Sequence, residues 1–124
     1  MDLDLNGQTV NHQYFDYTMT LETDTGVKLN IENDYTVHTD TASWDISPEP
    51  VSADSEQATY LVNHTISTAT SDETGGLNIS FTDGDRVTVE ADPDYEAWNL
   101  AGPDGRKVVC LPGGELATWP AESE

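Results

Sequence analysis

The residues of this chain able to do chemistry are few: one cysteine, Cys110, three histidines, His12, His38 and His64, and a large excess of carboxylates. Cys110 stands between Val109 and Leu111 in a stretch of strand character, where a thiol serves as a small buried hydrophobe rather than as a nucleophile. Arg106 and Lys107 are the basic neighbours that could lower its pKa, and alternation along a strand turns one of them away. The histidines occur singly, with no His-x-x-x-His or Cys-x-x-Cys companion of the kind that gathers a transition metal. They can meet only through the fold, and a dyad of Cys110 with one of them stays open. Asp83 with Asp85, and Asp92 with Asp94, alternate so that two acids can share an edge facing a hard cation. Neither pair sits in the Asp-x-Asp-x-Asp-Gly loop of a calcium hand, and such pairs arise by chance in an acidic chain. The expectation is casual cation binding with no dedicated metal site, no cofactor and no catalytic residue. No carboxylate pair is marked for glycosidase-type acid-base work either.

The setting of these groups is set by charge. Of 124 residues, 24 are acidic and four are Lys or Arg, for a formal net charge of -20. Like charges on so small a globule lie within the screening length of about 8 Å at ordinary ionic strength, so the folded state repels itself. At about 1 M salt that length falls to roughly 3 Å and the repulsion is lifted. Only Lys28 and Lys107 are lysines, Asp outnumbers Glu, and the acids are dispersed in ones and twos. Dispersed acidity is the style of a halophile's protein; an acidic decoy or interaction tail would carry longer like-charged blocks. Nucleic-acid binding is excluded as an expectation, since four cations cannot neutralise several phosphates. Met1-Asp2-Leu3-Asp4 has no basic or apolar leader character, and no apolar run approaches the roughly 20 residues that cross a bilayer. A cytoplasmic protein with no membrane association is the expectation.

A chain of this length is expected to form a single domain, 1–124, burying about two thirds of its unfolded surface. Residues 5–32 and 61–90 read as two versions of one unit. Gly7 to Val10 leads to Met19 and Leu21, a turn at Asp24-Thr25-Gly26, then Val27, Leu29, Ile31 and Glu32. Asn63 to Ile66 leads to Leu77, Ile79 and Phe81, a turn at Asp83-Gly84, then Val87, Val89 and Glu90. Lys28 and Arg86 fall at equivalent places, and about two extra residues are accommodated near Asp72 to Gly75. Each unit alternates apolar and polar residues with period two, Phe15, Tyr17, Met19 and Leu21 reading as one continuous strand face.

Between the units, Ser52 or Asp54 can cap a short helix with Ala58, Leu61 and Val62 on one side and Asn63 as its stop. The C-terminal region 95–119 reads as hairpins, turning at Gly102-Pro103-Asp104-Gly105 and again at Pro112-Gly113-Gly114, with a loose tail at 120–124. The fold class is therefore mainly β, antiparallel, from two three-strand meanders plus a C-terminal hairpin and one connecting helix.

Asp92-Pro93-Asp94-Tyr95-Glu96-Ala97-Trp98, Gly102-Pro103-Asp104-Gly105 and Val109-Cys110-Leu111-Pro112-Gly113-Gly114-Glu115-Leu116-Ala117 with Trp119 form a run of motifs. This run resembles the C-terminal signature of a family of small uncharacterised prokaryotic proteins, a domain of unknown function. The resemblance is looser over Gly7 to Glu32. It implies a single small domain and brings no activity or ligand.

Among the aromatics, Trp98 and Trp119 read as core, whereas Trp44, between Ser43 and Asp45 and outside the two units, reads with nearby Tyr35 as an exposed anchor for a partner. Three function classes remain. A non-enzymatic protein-binding module comes first, an immunity-type inhibitor of a basic nuclease or toxin second, and a small hydrolase or metal-dependent enzyme last.

Overall fold

Period-two alternation in the sequence becomes alternation between an inner and an outer face. The computed structural model describes residues 1–15, 18–48 and 60–120. In chain order its strands are β1 (Val10–Phe15), β2 (Met19–Thr23), β3 (Lys28–Ile31), β4 (Tyr35–His38), β5 (Ser43–Ile46), β6 (Ile66–Ser71), β7 (Leu77–Phe81), β8 (Arg86–Val89), β9 (Trp98–Ala101), β10 (Lys107–Cys110) and β11 (Leu116–Trp119). They make two antiparallel sheets, one of six strands in the order β1-β2-β3-β9-β10-β11 and one of five in the order β5-β4-β8-β7-β6. Met19, Leu21, Leu29, Ile31, Trp98 and Leu100 from the first sheet share one buried cluster with Tyr35, Val37, Ile79, Val87 and Val89 from the second.

The strand order interlocks the sheets. After the β1-β2-β3 meander the chain crosses to lay the β4-β5 hairpin beside β8, and after β6-β7-β8 it crosses back to lay β9-β10-β11 beside β3. Each sheet thus completes itself with strands that follow the other sheet's meander. The two meanders also meet at their starts: the Val10 amide donates to the His64 carbonyl (2.9 Å), the Ile66 amide to the Gln8 carbonyl (2.7 Å), and the Thr9 and Thr65 hydroxyls lie 2.9 Å apart. The N-terminal segment runs along β6, with the Leu3 amide donating to Ala69 and the Ser71 amide to Met1, which buries Leu3 and Leu5 in the core.

A joint between two loops is built from the C-terminal motifs. The Trp98 indole N–H donates to the Gly75 carbonyl at 2.9 Å, and the Cys110 thiol reaches the same oxygen at 3.4 Å. Gly75 and Gly114 lie backbone against backbone: a Cβ on Gly75 would stand 2.4 Å from the Gly114 oxygen, and one on Gly114 would stand 2.0 Å from the Thr74 oxygen. Both glycines have positive φ, so side chains are refused twice over, by conformation and by space.

Three expectations change. Phe15 to Leu21 is not one strand: β1 ends at Phe15, which pairs with Met19 at the start of β2, so the alternation runs across a chain reversal. The stretch holding Trp44, set outside the two units and given no strand, is part of the β4-β5 hairpin; its four-residue strands are too short for a clear period. No helix occurs among the described residues. The start of the expected connecting helix, from Ser52 or Asp54 through Ala58, lies outside them, and its expected end, Tyr60–Asn63, is a turn in which the His64 amide donates to Leu61. Residues 121–124 of the expected tail also lie outside the description.

Candidate functional site

The two residues expected to anchor a partner fall on neighbouring strands with different fates. Tyr35 on β4 is 1% exposed and belongs to the core, where burial pushes its phenol well above the ordinary range. Trp44 on β5 pairs with Val37 and is half-buried against the rim of the same core. The pair therefore offers no exposed aromatic patch, because the inward face of β4 carries Tyr35 and Val37 into the sandwich.

The exposed tryptophan is Trp119, not expected there. It pairs with Lys107, and this register places it on the outward face of β11, 51% exposed, with the Lys107 ammonium 5.7 Å from its ring centroid. Beside it is a groove of about 260 Å³ lined by Met1, Leu3, Val108, Trp119 and Pro120 among others. Arg106 closes one side, donating to the Leu3 carbonyl at 2.7 Å and lying 4.0 Å from the Asp4 carboxylate. Two of the chain's four basic residues thus flank this groove, and no described strand pairs with the outer side of β11. The signal was in the sequence: Trp119 follows Ala117 on the face opposite Leu116, so an inward Leu116 turns Trp119 outward.

The chemistry-bearing residues are dispersed by the fold, with one exception. Cys110 is fully buried at the Gly75 joint, where desolvation, with smaller effects from the charges of Asp72 and Glu96, pushes its thiol up. His12 stacks on Tyr14, and His38 lies 3.0 Å from the Thr88 hydroxyl, so neither forms a dyad with Cys110. Asp92 caps its own turn through the amides of Asp94 and Tyr95. A wide polar cleft of about 690 Å³ crosses the outer face of the five-stranded sheet between His38, Asn78, Arg86, Glu90 and Asp92. Its Asp72 is held below the usual carboxylate range by the Thr74 hydroxyl and the Gly76 amide, and is thereby committed to the β6-β7 turn. The exception is His64, whose Nε2 lies 3.0 Å from Asp83 Oδ2 and 3.4 Å from Asp85 Oδ2. Sequence spacing missed this grouping because His64 precedes β6 while both acids belong to the β7-β8 turn.

A family model matches residues 1–120, spanning all of the sheets and the joint at Gly75. The chain belongs to DUF6188, a family of unknown function. No curated protein and no solved structure matches it. Of the C-terminal residues that carried the resemblance, Trp98, Cys110 and Gly114 all converge on the β6-β7 turn, where they join the two sheets. No described helix is long and apolar enough to cross a membrane.

Proposed function

We propose that this DUF6188 chain is a non-enzymatic protein-binding module of a halophile's cytoplasm, and that the groove beside Trp119 takes an extended apolar segment of another protein. The observation that carries the reading is the pairing of Met1, 57% exposed, with Trp119, 51% exposed, around one groove. Large amphipathic rings flanked by cations are the side chains that anchor interfaces. The outer side of β11, which pairs with no described strand, offers a sheet edge next to that anchor, the requirement for strand addition. A charge of -20 supports the choice of environment, since partners in the same setting would also be acidic and would approach only where salt screens them.

Affinity capture in 3 M KCl with wild-type and Trp119→Ser baits tests this. A protein retained by the wild type and lost from the variant, with binding that strengthens as salt rises, supports the reading. Identical retention by both baits refutes the groove. Binding that weakens steeply with salt would point instead to the immunity-type alternative, in which a basic nuclease or toxin is steered onto the acidic surface.

A further inference from the structure

The β2-β3 and β7-β8 turns share one hydrogen-bond frame, and the difference between them is chemical. In the first, the Thr23 amide donates to the Val27 carbonyl, the Gly26 amide to Thr23 and the Asp24 amide to Thr9. In the second, the Phe81 amide donates to Asp85, the Gly84 amide to Phe81 and the Thr82 amide to Thr65. Thr25 therefore corresponds to Asp83, Val27 to Asp85, and, through the paired starts of the meanders, Gln8 to His64. The first turn is neutral and satisfied: Gln8 Oε1 accepts from the Thr23 and Thr25 hydroxyls at 2.7 and 2.8 Å, and Val27 fills the interior. The second puts an imidazole and two carboxylates in the same places.

Asp85 is 9% exposed where its counterpart is a buried valine, and its carboxylate has no described partner but His64. His64 Nε2 is itself buried and makes no hydrogen bond of good geometry. A carboxylate in a valine's place is costly unless a cation compensates it. We propose that His64 Nε2, Asp83 Oδ2 and Asp85 Oδ2 form a binding site for a divalent transition metal ion. The three donor atoms lie within 4.8 Å of one another. Ligands about 2.0–2.1 Å from a metal are about 2.9 Å apart in an octahedron and 3.4 Å apart in a tetrahedron. The separations of 3.0 and 3.4 Å from His64 fall within the range those edges span before any ion is added. Mixed imidazole and carboxylate donors suit zinc, manganese, iron or cobalt over calcium or magnesium, which prefer oxygen alone. Phe81 and Tyr60 pack edge-on against the imidazole at 5.4 and 4.7 Å, while Asp83, its side chain 50% exposed, leaves the solvent side open for a water or a partner's ligand.

The test uses Co²⁺ as the probe, added in 2 M KCl to the chelator-treated chain so that surface carboxylates are screened. Equilibrium dialysis reads affinity and visible absorption reads inner-sphere ligation. The expected result is one saturable site with a Co²⁺ absorption band, weakened at least tenfold in His64→Gln and in Asp85→Val, and unchanged in Asp92→Asn/Asp94→Asn. His64→Gln and Asp85→Val install the residues that the corresponding turn already carries, and Asp83→Thr, on the exposed side, supplies a third variant should either fail to fold. Equal affinity in the wild type and His64→Gln would leave an adventitious ion only and overturn the proposal. So would the absence of saturable binding.

Discussion

Substituting alanine for Gly114 and, separately, for its neighbour Gly113 isolates how the two sheets are joined. Both glycines have left-handed backbones, φ 96° and 86°, so each alanine incurs the same conformational penalty of about 1–2 kcal/mol. Space separates them. A Cβ at Gly113 meets nothing within 4 Å, whereas one at Gly114 would lie 2.0 Å from the Thr74 oxygen and 2.9 Å from its carbonyl carbon. Backbone cannot yield as a side-chain tip does, so the β6-β7 and β10-β11 turns must part. Parting them withdraws the Gly75 carbonyl from Trp98 and Cys110 in a buried place, and an unsatisfied buried group costs about 1–3 kcal/mol. Gly114→Ala should therefore cost about 2–5 kcal/mol and Gly113→Ala about 1–2 kcal/mol, against a total stability of about 5–15 kcal/mol for a domain. Urea unfolding in 3 M KCl, followed by tryptophan fluorescence, reads the difference as a lower midpoint at unchanged slope. Equal midpoints for the two variants would refute the argument that the glycines at this joint are selected by close approach.

Three further outcomes are expected. Gly105, at φ 92° in the β9-β10 turn, should cost about 1–2 kcal/mol when replaced by valine, and an unaltered melting temperature would contradict the turn. Cys110, fully buried with its thiol pushed up by desolvation, should react with a thiol reagent only at the rate of unfolding; immediate labelling of the native chain would overturn its place in the joint. Dialysis from molar to millimolar salt should erase the near-ultraviolet circular dichroism, since a charge of -20 loses its screening; a sharp, unchanged spectrum would count against halophilic adaptation.

The sequence by itself determined the β class, the one-sided strands and three of the turns, because those are local. Alternation fixes which side chains share a face, and Gly26, Gly84 and Gly105 mark reversals by their tolerance of positive φ. It also pointed to the burial of Cys110, set between Val109 and Leu111, whereas the core placement read for Trp98 and Trp119 alike holds for Trp98 and fails for Trp119. Where local signals were short or ambiguous it misled: the β4-β5 hairpin was invisible in two four-residue strands, and alternation from Phe15 to Leu21 ran through a reversal. What only the tertiary structure decided are the relations between distant segments. The exchange of strands between sheets buries Tyr35, leaves Trp119 on an open edge, and brings the turn of one hairpin onto His64. These relations depend on which strand edges pair, a choice made by the summed burial of two whole sheet faces, and no stretch of a few residues encodes that sum.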